Sequence, residues 1–281
     1  MSGSRQAAGV PYPLNTPLGR FGIETAEDGP DRCVASIPAG GFVNPLTGVP
    51  TVAPLAMLVD HAGGLINHAR RDPQEWTVSS ELSLEAAPEA SDVIAASPGK
   101  DVVAISRPLG RKGIAALSLC ELSVGDVVIA TATVRSFYIT VPANLAAWPD
   151  RPAGLLPGTA LGELMAVQIG ETGGAASVLV QRDDPVLNNS VGAVHGGVSS
   201  MGLELVGSAA VNKASANKEP GALPYRTASL RVNFLRPFFS GAQSRYLGTP
   251  LRVGRSTAVG DASAVDDSGK VALTARLTAY L

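Results

Sequence analysis

The feature that most restricts the fold is a repeat. Residues in the first half of this 281-residue chain recur 144 positions later. Gly48 is matched by Gly192, Asp60 by Glu204, Gly110-Arg111 by Gly254-Arg255, Gly125 by Gly269 and Asn44 by Asn188. The matches fall in the loop before a helix, in that helix, in a strand pair and in a hairpin turn. A carboxylate, a Gly-Arg pair and a turn glycine at one offset, in equivalent elements, indicate a duplicated unit. Past the helix the register slips, because Pro88 pairs best with Pro237, an offset of 149. The second copy therefore carries a few extra residues around Asn217 to Pro224. The chain reads as two copies of one fold, 12–140 and 160–281. Residues 141–159 join them, with Pro142, Pro149, Pro152, Pro157 and Trp148, a composition that suits an extended, semi-rigid linker.

Each copy offers one helix and a run of strands. After an expected loose arm over residues 1 to about 12, Phe21 to Ile37 suggests one or two strands with a turn at Asp28 to Asp31. Pro54 to Ala69 reads as a helix, with proline in its first turn. Gly63 and Gly64 weaken it but permit close approach of another backbone. From Thr77 onwards the pattern becomes alternating and β-branched. It gives strands in 77–88, a strand pair in 102–122 around a turn at Leu109 to Gly113, and a long strand ending near Thr140. One helix followed by antiparallel strands is an α+β arrangement, a sheet wrapped on a central helix.

The densest stretch is Asn189 to Ala210, NSVGAVHGGVSSMGLELVGSAA. A Gly-rich turn at His195-Gly196-Gly197 leads into a helix whose apolar residues cover nearly its whole circumference, so the helix is expected to be buried. Glu204 lies in its middle, where an ionised carboxylate is costly unless paired, hydrated or used. A Glu held by an arginine, or sitting at a helix edge, would satisfy the same pattern.

Together these residues resemble the PaaI-like branch of the hotdog-fold acyl-CoA thioesterases. The resemblance is carried by NSVGAVHGG, by Glu204 nine residues after His195, by SLRVNFLRPF, and by VGRSTAVGDASAVDDSGKVALTARLTAYL. It covers nearly all of the second half, and reaches the first half through the repeat and through LVDHAGG. Two such units in one chain resemble the double-hotdog thioesterases, in which one chain reproduces the usual dimer. The resemblance implies tandem hotdog units with an acyl-CoA substrate. It implies composite sites in which one unit supplies an Asn and the HGG turn, and the other supplies the helix acid and a strand hydroxyl. One site would then combine Asn189, His195 and Gly196 with Asp60 and a hydroxyl among Thr77, Ser79 and Ser80. The other would combine Glu204 and Thr227 with Asn44, Thr51 and Val52. The first copy has Thr51-Val52-Ala53 where the second has His195-Gly196-Gly197, and Pro45 where the second has Asn189. The expectation is one competent site and one degenerate site. Arg111 and Arg255 are candidates for the phosphates of CoA, and Gly197 for close approach of the substrate. No metal or redox cofactor is implied, and whole chains are expected to pair as homodimers.

The chemistry fits these residue types. Backbone N–H groups at a helix start polarise a thioester carbonyl, aided by the helix dipole. A carboxylate then attacks the carbonyl carbon or takes a proton from water. The string HGGVSSMG places its serines inside the helix, so it is no nucleophile elbow. Phe234, Phe238, Phe239 and Tyr246 read as core in preference to a tunnel wall. Two rivals share the fold: a hydratase or dehydratase using Asp60 and His195 on an enoyl-CoA, and a non-catalytic acyl-CoA-binding module.

Composition narrows the partners. Lys+Arg number 22 against 24 Asp+Glu, so no bulk basic field points to nucleic acid. The opening MSGSRQAAGVPYPLN lacks an apolar core of signal-peptide length, and no run reaches membrane-spanning length, so a cytoplasmic protein away from the membrane is expected. Cys33 and Cys120 are far apart and read as ordinary buried thiols.

Overall fold

The structure, a computed structural model, describes residues 9–150, 158–171, 177–218 and 221–281. Most of the expected N-terminal arm, part of the linker (Pro152 and Pro157 included) and part of the 217–224 insertion lie outside the described residues. The first half contributes β1 (Val10–Pro11), α1 (Pro17–Arg20), β2 (Glu24–Asp28), β3 (Cys33–Ile37) and the central helix α2 (Ala53–Ala69). It continues with β4 (Glu75–Ala86), α3 (Ala90–Ala95), β5 (Val102–Leu109), β6 (Ala115–Val124) and β7 (Val127–Thr140). The second half contributes α4 (Leu161–Leu164), β8 (Val167–Ile169), β9 (Ser177–Gln181) and the central helix α5 (Gly196–Lys218). Then come β10 (Arg226–Phe234), β11 (Arg245–Val253), β12 (Thr257–Val265) and β13 (Val271–Tyr280).

The strands form one 13-stranded antiparallel sheet, in the order β1-β2-β3-β5-β6-β7-β4-β10-β13-β12-β11-β9-β8. Outward from the centre, β4-β7-β6-β5-β3-β2 is mirrored by β10-β13-β12-β11-β9-β8. The repeat seen in sequence is thus a pseudo-twofold in space. Its axis passes through the β4–β10 pair, where Ser83 lies opposite Arg231, Leu82 opposite Val232 and Leu84 opposite Leu230. Matching bulges, between Ser79 and Glu81 where β4 pairs with β7 and between Thr227 and Ser229 where β10 pairs with β13, make Ser79 and Thr227 counterparts. The four apolar residues of this seam are buried, so the two halves share one core and no polar boundary separates them.

The central helices pack on the same face of the sheet and on each other. That explains sequences apolar on almost every side: sheet covers one face, the partner helix another. In α2, Leu55, Met57, Leu58, Val59 and Ile66 are all inaccessible to water, and each such side chain stabilises the fold by about 1.5–3 kcal/mol. At Gly63 it is side chains, and not the expected backbone, that approach: a Cβ there would lie 2.6 Å from Val134 Cγ2 of β7 and 2.9 Å from Ser118 Oγ of β6. Gly64 has nothing within 4 Å, so the expectation fails there too. Gly197 brings α5 onto α2, because its Cβ would lie 2.5 Å from Met57 Sδ and 2.8 Å from Met57 Cα.

Both cysteines are buried and free, and burial pushes their thiols up to about 12 for Cys33 and about 11 for Cys120. Phe238 and Tyr246 are core residues, edge to face at 5.2 Å. Phe239 is exposed, which departs from the expected core placement, and Phe234 lies at the edge of the core beside the site described next. Among the described residues, no helix is long and apolar enough to cross a membrane, and no three His, Cys, Asp or Glu gather to hold a metal.

Candidate active site

The loop before α5 is built by its own polar groups. Asn189 Oδ1 accepts from the N–H groups of Val191 (3.0 Å) and Ala193 (3.2 Å), and Gly192 turns the chain at φ 79°. That conformation is cheap only for glycine. The loop is then clamped on both sides, with the Val194 N–H donating to the Phe238 carbonyl and the His195 N–H to the Leu187 carbonyl, each at 2.9 Å. His195 caps the helix: its Nδ1 accepts from the Gly197 N–H at 3.1 Å. An accepting Nδ1 carries no proton, so the ring is the neutral Nε2–H tautomer. Burial favours that state by lowering the imidazole pKa, against the smaller opposing effect of Asp60.

Asp60 comes from the other half of the chain. Met57 and Asp60 share a face of α2, so the Met57–Gly197 contact carries Asp60 to the start of α5. Its Oδ1 accepts from Ser79 Oγ at 3.0 Å, and its Oδ2 lies 3.4 Å from His195 Nδ1. With the imidazole neutral and Nδ1 already accepting, that contact is a close approach and not an ion pair. Gly196 completes the site. A Cβ at Gly196 would lie 2.8 Å from Asp60 Oδ2 and 3.1 Å from Phe234 Cε1. Among the described residues, nothing accepts from the Gly196 N–H, which stands at the positive end of the α5 dipole. A carboxylate from one half thus lies beside the first residue of a helix from the other.

The pseudo-twofold produces a second cluster with different properties. Thr51 takes the place of His195, capping α2 by accepting from the Ala53 N–H at 3.1 Å. Its hydroxyl donates to Glu204 Oε2 at 2.7 Å, and Thr227 donates to Glu204 Oε1 at 2.5 Å. Both carboxylate oxygens are engaged. Glu204 is 1% exposed and burial raises its pKa, against the lowering effect of the Thr227, Thr51 and Ser208 hydroxyls. Val52, buried, occupies the position that Gly196 holds at the other site. A void of about 10 Å³ lies against the cluster, lined by Asn44, Val52, Glu204, Ser208 and Thr227 among others, room for roughly one water. Asn44 donates to the Leu205 carbonyl (2.8 Å) and to Ser208 Oγ (3.0 Å), holding its loop to α5.

Residues 191–273, which include the His195 turn and α5, match the model described as the thioesterase superfamily. Over nearly the whole chain the fold is similar to that of a TesB protein from Mycobacterium avium subsp. paratuberculosis, at 14% identity and a TM-score of 0.58, covering 94% of this chain and 97% of that one. It is also similar to acyl-CoA thioesterase II TesB2 from Mycobacterium marinum, at 13% identity and a TM-score of 0.56, over 92% and 95% of the two chains. A hotdog-fold protein of unknown function from Alicyclobacillus acidocaldarius gives 16% identity and a TM-score of 0.55, over 91% and 94%. At these identities the likeness is one of fold: the double hotdog. These full-length neighbours include TesB-named proteins, and the PaaI-like branch remains a motif resemblance of the second half. The sequence matches no curated relative.

Within the double-hotdog fold, Asp60, Ser79, His195 and Gly196 come together. Thr77 does not join them: it lies 2.8 Å from His68 Nδ1, about two helical turns beyond Asp60. Asn189 holds the loop through Oδ1, and its counterpart is Asn44, not Pro45. Both asparagines accept from the N–H two residues on, and both precede a positive-φ glycine, Gly48 or Gly192. Gly197 serves the helix contact. Arg111 and Arg255 are exposed on the β5–β6 and β11–β12 turns. Val52, expected among the residues of the second site, fills that site with its side chain, and Phe234, expected in the core, stands beside Gly196 as a wall of the first. Their signal lay only in comparing each position with its counterpart.

Proposed function

We propose that this protein hydrolyses acyl-CoA thioesters at one composite site, formed by Asp60 and Ser79 from the first half and by His195 and Gly196 from the second. The observation that carries the reading is the Asp60 carboxylate beside an N–H that has no acceptor, at the start of a buried helix, where Gly196 leaves the backbone open. The thioester carbonyl oxygen accepts from the Gly196 N–H, and the charge that develops on it is stabilised by that donor and the α5 dipole. Ser79 holds Asp60 Oδ1 and leaves Oδ2 towards the loop. Asp60 then takes a proton from water as the water attacks, or attacks the carbonyl carbon itself. In either route the C–S bond breaks, the thiolate leaves with a proton, and one water is consumed per acid formed. His195 keeps the turn in shape by capping Gly197 and presents a neutral Nε2–H.

The Glu204 cluster is inactive in this reading, which is supported by its two engaged oxygens and the buried Val52 side chain. The test is free-thiol release from short, long and aromatic acyl-CoAs, run beside the absorbance of an enoyl-CoA. Thiol release is expected. Loss of enoyl absorbance without thiol would favour a hydratase, and saturable binding without either change would favour a binding module.

A further inference from the structure

The loop that carries His195 and Gly196 belongs to the second half, but part of its hold comes from outside that half. Its root is a short 3-10 turn, Pro185–Leu187, whose last carbonyl accepts from the His195 N–H at 2.9 Å. Asp184 starts that turn. Its Oδ1 accepts from the Val186 N–H at 3.1 Å, and its main-chain carbonyl accepts from the Leu187 N–H at 2.9 Å. The other carboxylate oxygen, Oδ2, accepts from Arg20 Nη2 at 3.0 Å. Arg20 ends α1, in the first half, and its Nη1 donates to the Leu164 carbonyl at the end of α4, at 3.3 Å. The linker grips the same loop further along. The Ala146 N–H donates to the Ser190 carbonyl at 2.7 Å and Trp148 Nε1 to the Asn188 carbonyl at 3.2 Å. Asn15 Nδ2 ties the linker back to the first half by donating to the Pro149 carbonyl at 2.7 Å.

The Arg20–Asp184 pair is not something the fold itself requires. The Arg20 side chain is 3% exposed and that of Asp184 22%, so both charges are largely removed from water. A buried pair of this kind adds little to stability over apolar side chains of similar volume. The chain contains the apolar alternative. At the 144-residue offset α4 is the counterpart of α1, and each is followed by a positive-φ residue, Gly22 or Ala166. Leu164 stands where Arg20 stands, and it is part of the core. The stretch that corresponds to Asp184, Pro38-Ala39-Gly40-Gly41, has no acid. There the equivalent clamp, from the Thr51 N–H to the Phe42 carbonyl, is longer, at 3.3 Å. The ion pair thus accompanies the loop of the Asp60 site and has no counterpart at the loop of the Glu204 cluster.

We propose that Arg20 and Asp184 are positioning residues: they fix the Pro185–Leu187 turn, and through the Leu187 carbonyl they set His195 and the first N–H groups of α5 beside Asp60. The catalytic consequence rests on the thioesterase reading; the hold on the loop does not. A carboxylate engaged through one oxygen by the turn and through the other by a guanidinium locks the turn to α1. A shift of that turn carries His195 with it, and catalysis is sensitive to displacements well below the size of an atom.

The deciding variant combines Arg20→Leu with Asp184→Asn. Arg20→Leu by itself strands the Asp184 charge and endangers folding. Asparagine is neutral and keeps an oxygen for the Val186 N–H. Kinetics on the best acyl-CoA substrate are measured beside urea unfolding and the amide hydrogen exchange of His195 and Gly197. The double variant is expected to keep the wild-type urea midpoint, because Leu164 shows the apolar solution to be stable. Its kcat should fall by about tenfold, with KM within about threefold of wild type. The His195 and Gly197 amides should exchange faster by about tenfold, while the Leu205 amide in the middle of α5 is unchanged. Arg20→Lys, with Asp184 intact, should bring kcat to within about threefold of wild type. A double variant with kcat within about twofold and unaltered exchange would overturn the assignment. A lowered urea midpoint with faster exchange throughout α5 would overturn it too, because that pattern marks a purely structural pair. The two readings fail separately. Hydrolysis by wild type with unaltered His195 and Gly197 exchange in the double variant removes the positioning role and leaves the thioesterase. Faster exchange confined to those amides, in a protein that releases no thiol, retains the hold on the loop and removes the thioesterase.

Discussion

Replacing Gly196 with alanine probes the site with one methyl group. That methyl would lie 2.8 Å from Asp60 Oδ2, 3.3 Å from its Cγ and 3.1 Å from Phe234 Cε1. None of these is backbone, so the helices stay in place and the carboxylate end and the ring move aside by several tenths of an ångström. Stability should hold or rise slightly, because alanine favours a helix over glycine by up to about 1 kcal/mol. Catalysis should not survive intact. The methyl displaces the acting carboxylate and covers the N–H that the carbonyl oxygen must reach. Misplacement on the order of 1 Å costs about 100-fold, and loss of an oxyanion donor costs about 100- to 1,000-fold. The expected result is kcat down by about 100-fold or more for the acyl-CoA that wild type hydrolyses best, with the thermal midpoint unchanged or higher. A variant retaining kcat within about threefold would refute the placement of the carbonyl at Gly196.

Further outcomes follow from the same contacts. Gly197→Ala meets the Met57 backbone, at 2.8 Å from its Cα, so it should lower stability by about 1–3 kcal/mol in urea unfolding; unaltered stability would contradict the close helix contact. Ser79→Ala removes the hydrogen bond to Asp60 and should lower kcat by about tenfold, whereas Thr77→Ala, which touches His68, should leave kcat within about twofold; the reverse ranking would reinstate Thr77. Burial raises the Glu204 pKa above its ordinary value of 4.5, so from there up to its folded value the folded chain keeps a proton that the unfolded chain has lost. Stability then falls as pH rises through that window. Glu204→Gln removes this fall, and the urea midpoint of the variant relative to wild type should increase from about pH 5 to about pH 8; a difference independent of pH would mean that Glu204 is ionised in the fold.

The parts of this architecture that were legible in sequence are those that depend on local pattern. The repeat is visible because turn glycines and buried acids are hard to replace, and it becomes a mirrored strand order about the β4–β10 seam. The all-round apolar helices announce burial, and Pro54 marks the start of α2 to within one residue. Long-range stagger is not written locally. Thr77 and Ser79 both face the helix, and only the offset of β4 against α2 decides that Ser79 meets Asp60 while Thr77 meets His68. A fixed offset also misaligned the asparagines, because the turn from Asn44 to Gly48 is one residue longer than that from Asn189 to Gly192. Glu204 reads as an unusual buried acid, but its partners Thr51 and Thr227 come from two distant segments. Val52 carries no signal by itself, and only its correspondence with Gly196 shows that a side chain fills one site and not the other.

The central claim is that one composite site works, and that its carboxylate is Asp60. Thiol release by Asp60→Asn and Glu204→Gln, measured side by side on the best acyl-CoA substrate, tests this most directly. Asparagine at 60 removes the base or nucleophile beside the Gly196 N–H and should reduce turnover by about 1,000-fold or more, while glutamine at 204 should leave it within about threefold. If the Glu204 substitution abolishes turnover and the Asp60 substitution does not, the working site is the Thr51 side and the account is wrong.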